Sequence, residues 1–92
     1  DDMASIEQIA ADIKNTYERI ATGGEWLKMT EVAGNMGLDV SVDEFAQAVR
    51  HLVINDPKTE VQPEINQKTL TQMDRLYRVM WAGDHNDLIA WI

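Results

Sequence analysis

The tetrapeptide Asp84-His85-Asn86-Asp87 gathers carboxylate, imidazole and amide groups within four positions, ligand types that suit a divalent ion. A metal there needs at least another ligand from elsewhere in the fold. Asp and Asn are also the ordinary residues of turns, where their side chains bond local backbone, and the turn is the reading taken, with no metal site. His51 is the only other histidine. An imidazole is a general base only beside a nucleophile it can deprotonate, and the chain offers no cysteine and no recognisable serine–histidine arrangement. The five glycines match neither a phosphate loop nor a dinucleotide fingerprint, which require fixed spacing between strand and helix. An enzyme is therefore not expected, nor a cofactor. The lack of cysteine also excludes disulfide staples and the usual zinc-finger ligand sets.

Binding is the remaining class, and charge bears on it directly. Sixteen acidic residues against eight basic ones give a formal net charge of −8, which repels phosphate backbones at long range. A local basic patch can still outweigh that field within a Debye length of about 8 Å at physiological salt. Three tryptophans offer apolar area with a hydrogen-bond donor. Trp26 and Trp91 sit in apolar segments and read as core, whereas Trp81, with Tyr77, reads as an anchor for another protein.

The elements that position these groups follow from periodicity. At 92 residues, with 45% hydrophobic and 26% charged positions, the chain has the composition of one globular domain, residues 1–92. No apolar run approaches the ~20 residues of a membrane span. Asp1-Asp2-Met3 lacks the basic start of a signal peptide, so a cytoplasmic protein is expected, without membrane contact. In residues 4–21 the positions Ile6, Ile9, Ala10, Ile13, Tyr17 and Ile20 recur at spacings of three and four, an amphipathic helix that Thr22-Gly23-Gly24 closes with left-handed glycine. A brief extended segment, 25–29, leads to Thr30 as N-cap of a short helix over 31–36, ended by Gly37. Leu38 and Val40 then turn inward. Ser41-Val42-Asp43-Glu44 is a capping box opening a third helix whose core face is Phe45, Ala48, Val49, Leu52 and Val53. Residues 59–64 alternate and carry Pro63, as an edge strand does. Thr71-Gln72-Met73-Asp74 opens a short fourth helix, with Met73, Leu76, Tyr77 and Met80 at helical spacing. Leu88-Ile89-Ala90-Trp91-Ile92 is a strand buried on both faces, paired with 59–64.

The fold class expected is α+β, mainly helical: about four helices and a small antiparallel sheet. The element order, together with Met29-Thr30-Glu31-Val32-Ala33-Gly34-Asn35-Met36-Gly37-Leu38, resembles a winged helix-turn-helix domain, with the N-terminal helix at 4–21, the helix-turn-helix at 30–54, and the wing and C-terminal strand at 59–92. The turn before Ser41 is a residue or two longer than in the simple pattern, and a helix sits where the wing belongs. The stretch from Asn66 to Arg75 also resembles small uncharacterised actinobacterial and phage proteins of this kind, a likeness that implies no activity.

The resemblance implies a recognition helix beginning at Ser41, from which Asp43, Glu44, Gln47, Arg50 and His51 would face base edges. Lys58, Lys68, Arg75 and Arg78 in the wing would touch phosphates. Two carboxylates at that helix's start oppose DNA, so the leading expectation is an acidic winged-helix module that binds a protein partner, including a second copy of itself through the first helix or a sheet edge. A sequence-specific DNA-binding regulator is the alternative.

Overall fold

The computed structural model describes residues 4–92; Asp1, Asp2 and Met3, on which the absence of a leader was read, lie outside them. The first helix, α1 (Ile6–Ile20), opens on a capping box the sequence reading did not single out: Ser5 Oγ accepts from Gln8 N and Gln8 Oε1 accepts from Ser5 N. Its buried face is Ile9, Ala10, Ile13, Thr16 and Tyr17. The helix does not end on a left-handed glycine. Ala21 caps it in extended conformation, and the positive φ of +75° at Gly24 serves the following turn, in which Glu25 N donates to Thr22 O.

Strand β1 (Leu27–Lys28) runs directly into α2 (Met29–Asn35). The N-cap is Lys28, two residues earlier than expected, because Glu31 reaches back to accept the Lys28 backbone N–H. Thr30 is thus inside the helix, its hydroxyl free for a tertiary contact. Gly37 has no positive φ. The chain leaves α2 in extended conformation at Met36, and the Asp12 carboxylate accepts from the backbone N–H groups of Gly37 and Leu38. That bond turns Leu38 outward, to 39% exposure, rather than into the core; Val40 is half-buried.

Helix α3 (Val42–Asn55) starts at the capping box anticipated on Ser41 and Glu44. It buries Phe45, Ala48, Val49 and Leu52 against α1. At its C-terminus Asp56 accepts from Lys14 Nζ at 3.0 Å and from Trp91 Nε1 at 3.0 Å, joining α3, α1 and the sheet at one carboxylate. The Lys14 bond is the main reason its carboxyl lies below the usual range, helped by the Lys58 N–H.

Strand β2 (Thr59–Gln62) pairs antiparallel with β5 (Leu88–Trp91), and β5 pairs on its other side with β1, giving the order β1-β5-β2. Leu88, Ile89 and Ala90 are buried, as a central strand requires, while β2 lies at an edge and hands over to Pro63. Trp26 and Trp91 are half-buried against the core, and Trp91 stacks tilted on Tyr17 at 4.8 Å.

Between β2 and β5 lies an excursion, residues 63–87. A 3-10 turn at Gln67–Thr69 precedes α4 (Gln72–Leu76), capped reciprocally by Thr71 and Asp74. The helix stops four residues short of Met80. A hairpin follows, β3 (Val79–Trp81) with β4 (Asp84–Asn86), turning through Ala82 at φ +52° and Gly83 at φ +85°. Two successive positive φ values are the mark of a two-residue type I′ turn, whose twist matches the flanking strands. The described residues therefore form an α+β, mainly helical fold: four α-helices, a three-stranded antiparallel sheet and a two-stranded hairpin.

Candidate functional site

Two buried carboxylates fix the excursion to the rest of the chain. Asp74, on α4 and 8% exposed, accepts from Thr30 Oγ1 at 2.7 Å, Lys28 Nζ at 3.1 Å and its own cap residue's Thr71 N at 2.9 Å. Burial, the largest single influence, pushes its pKa up. The three hydrogen bonds together pull harder, and it falls to about 2. Asp87, 2% exposed, accepts from Arg78 Nε at 3.2 Å, Glu64 N at 3.0 Å and Gln67 Nε2 at 3.2 Å. Its backbone joins the same junction, since Asp87 N donates to Gln62 O and Asp87 O accepts from Met29 N. The neighbouring Asn86 amide, also buried, donates to Val79 O and Asp84 O. The tetrapeptide 84–87 therefore does not converge as a ligand set: Asp84 and His85 are exposed on β4, while Asn86 and Asp87 face inward. Among the described residues no group of three or more candidate side chains could hold a metal ion.

The expected DNA-contacting residues have other employment. On α3, Glu44 serves the cap, Asp43 accepts from Gln47 Nε2 at 2.7 Å, and His51 Nδ1 lies 3.3 Å from Asn55 Nδ2. Arg50 does not project freely; its Nε donates to Met80 O at 3.1 Å, because β3 packs across this side of α3. In the expected wing, Arg78 is a half-buried structural partner of Asp87, and Arg75 donates to Gln67 O at 3.1 Å. Lys68 lies on the 3-10 turn, and Lys58 precedes β2 at its opposite end. Of the eight Lys and Arg residues, six (Lys14, Arg19, Lys28, Arg50, Arg75 and Arg78) donate to oxygens within the protein. Only the side chains of Lys58 and Lys68 have no such partner among the described residues.

The two expected anchors are half-buried. Tyr77 packs edge-on against Phe45 at 5.6 Å and belongs partly to the core. Trp81 lies on β3, not at a helix end, opposite Asp84. What the sequence reading missed is the outer face of α4. Met73 and Leu76, read only as recurring at helical spacing, are 56% and 57% exposed, and Met80 is 44% exposed. With Ile65, they are four of the seven large hydrophobic side chains exposed among the described residues, all on residues 63–87.

Met73 is shared by two adjoining concavities. One, of ≈ 600 Å³, runs along Thr71, Gln72, Met73, Arg75 and Leu76. The other, of ≈ 240 Å³, lies between α2 and α4 and is lined by Thr30, Ala33, Gly34, Met73 and Tyr77. The larger is formed by one short helix and its cap residue, open to solvent, without polar groups converging from several elements as a small-molecule site has. It suits an extended apolar partner surface. Comparison with protein-family models, curated proteins and solved structures gives no significant match.

Proposed function

We propose that this chain is a non-catalytic protein-binding module, built on a winged-helix scaffold, that meets its partner through the excursion between β2 and β5. The observation that carries the reading is the exposure of Met73, Leu76, Met80 and Ile65 on a segment tied to its surroundings by two buried carboxylates. A loop kept only to connect two strands has no need of a fixed apolar surface, and such surfaces mark interaction sites. The order α1-β1-α2-α3-β2-β5, with sheet order β1-β5-β2, supports the winged-helix part of the proposal, with the wing enlarged into residues 63–87.

The DNA-binding alternative draws little from the cations, six of which are already bonded inside the protein. Self-association through α1 draws little either, since the exposed positions of that helix are Glu7, Gln8, Ala11, Asn15, Glu18 and Arg19. A cytoplasmic setting, expected from the sequence, is part of the proposal and is checked by cell fractionation.

The test is site-specific photo-crosslinking in cells that make the protein, with the reactive amino acid at Leu76 and, as control, at Glu60 on β2. A discrete protein adduct from position 76 and none from position 60 is the expected result. No adduct at 76, or the same adducts from both, overturns the reading. Steeply salt-dependent binding of random-sequence duplex DNA puts the regulator in its place.

A further inference from the structure

We infer that the concavity along α4 seats a segment of the partner protein in which apolar side chains flank a carboxylate, and that Arg75 receives that carboxylate. The inference rests on the protein-binding reading and names the chemistry of what binds.

The concavity of ≈ 600 Å³ is lined by Thr71, Gln72, Met73, Arg75 and Leu76, so its one charged lining group is a cation. Met73 and Leu76, each more than half exposed, supply the apolar part of the surface. Arg75 is exposed too, and its charge is not cancelled locally. The residues three and four positions away are Thr71, Gln72, Arg78 and Val79, none of them a carboxylate that could pair with it along the chain. The adjoining Asp74 carboxylate turns the other way, to Thr30 and Lys28, and Arg78 is paired with Asp87. Glu31 stands on α2, outside the lining, where it accepts the Lys28 backbone N–H. Along residues 63–78 this leaves two cations without an ion pair, Lys68 and Arg75, against one carboxylate, Glu64. The docking face is locally positive on a chain of net charge −8.

The guanidinium is also oriented. Its Nη2 donates to Gln67 O at 3.1 Å, and Gln67 is itself fastened through its side chain, which donates to Asp87 Oδ2 and accepts from Arg78 Nη2. A bond to a neutral carbonyl leaves the charge of Arg75 intact, and its other N–H groups have no acceptor among the described residues. A guanidinium so placed matches a carboxylate through two parallel hydrogen bonds. Apolar contacts with Met73 and Leu76 exclude water from the pair and strengthen it.

Net charge then selects among anions. A nucleic acid brings a charge with every phosphate and a second copy of this chain brings −8, so the field of the whole molecule opposes both strongly. A segment with one or two carboxylates loses little to that field, which fades within about 8 Å at physiological salt, while the pair with Arg75 forms in direct contact.

Three peptides test this, identical in their leucines and differing only in glutamate, glutamine or lysine between them. Each is titrated into isotope-labelled protein at physiological salt and followed by amide NMR shifts. The glutamate peptide is expected to bind about threefold tighter than the glutamine peptide and about tenfold tighter than the lysine peptide, with shifts centred on residues 71–76. Attraction by net charge alone gives the opposite order. Arg75→Gln is expected to erase the preference for glutamate over glutamine, and Leu76→Gln to weaken all three peptides several-fold; thermal unfolding confirms that each variant is folded. Tightest binding by the lysine peptide, a glutamate preference that survives Arg75→Gln, or no binding by any of the three overturns the inference. Random-sequence duplex DNA that shifts residues 71–76, and no longer does so in Arg75→Gln, assigns the arginine to phosphate and overturns it as well. Crosslinking from position 76 decides the protein-binding reading separately.

Discussion

Replacing Asp74 by Asn tests the clasp that holds α4 to α2. The carboxylate accepts from Thr30, Lys28 and Thr71, and its pKa lies at about 2 against an ordinary 3.8. At about 1.4 kcal/mol for each pH unit of displacement, this corresponds to roughly 2 kcal/mol of folding stability, which solvent screening beside the surface trims to about 1–2 kcal/mol. Asn keeps the shape and loses the charge, so at pH 7 the hypothesis predicts a Tm lowered by about 5–15 °C for a domain of this size. The folded-state pKa lies below the unfolded one. The contribution is therefore complete above about pH 5 and is lost as pH falls through 4 toward 2. Urea unfolding of the parent and Asp74→Asn proteins, followed by circular dichroism at intervals from pH 7 to pH 2, should show a stability gap that closes on acidification. Other carboxylates titrate alike in both proteins and cancel in the difference. A gap independent of pH, or none at pH 7, refutes the assignment. Amide hydrogen exchange adds the location: residues 71–77 should exchange faster in the variant, with α1 and α3 less affected.

Arg78→Gln should cost about 3 kcal/mol, because it leaves the buried Asp87 carboxylate without its cation; a Tm within a few degrees of the parent would return Arg78 to the surface role first expected of it. Lys58→Glu with Lys68→Glu should change stability by less than about 1 kcal/mol in total by chemical denaturation, and a larger loss would show that one of them has a tertiary partner. Ala82→Asn should raise stability by about 0.5–1 kcal/mol in thermal melts, since Asn tolerates the positive φ of this hairpin position better than Ala; a destabilised variant would rule out the two-residue turn. Ser41→Ala should lower stability by about 1 kcal/mol through loss of the α3 cap, and an unchanged Tm would mean that water replaces the hydroxyl.

The elements legible in the sequence were those carried by local chemistry. The Ser41 and Glu44 box, the α1 stripe and the apolar β5 run each specify their structure within a few neighbouring residues. The excursion was read less well, for a physical reason. Met73, Leu76, Tyr77 and Met80 satisfy helical spacing, yet Val79 and Trp81 also alternate, and the Ala82-Gly83 turn lets that alternation pair with 84–86. Periodicity reports that apolar groups share a face; it does not report whether anything covers the face. Met73, Leu76 and Met80 are the exposed surface on which the proposal rests, while Tyr77 of the same spacing packs against Phe45. Arg78 was misplaced for a related reason: its partner Asp87 is brought beside it by the hairpin, and nothing in the tetrapeptide 84–87 announces which carboxylate will be buried. Thr30 looked like a cap because Thr often is one, but its hydroxyl closes a contact to Asp74, more than forty positions away.

The position of β5 between β1 and β2 bears on how the chain reaches this structure. β1 and β2 do not pair with each other, and each is joined to the sheet only through β5. Leu27 must wait for Ile89 before its ladder can form, a closure whose entropy is lost before any pairing returns it. Helices α1, α2 and α3, by contrast, all precede β2 and can dock without β5. The three-stranded sheet has no smaller paired form that omits its central strand: β2 reaches β5 across the excursion alone, and β1 reaches it only across most of the chain, the kind of nonlocal contact that slows folding. In that ordering the docking face is completed together with the sheet, since Asp87, immediately before β5, is the residue that ties Arg78, Gln67 and Glu64 into place.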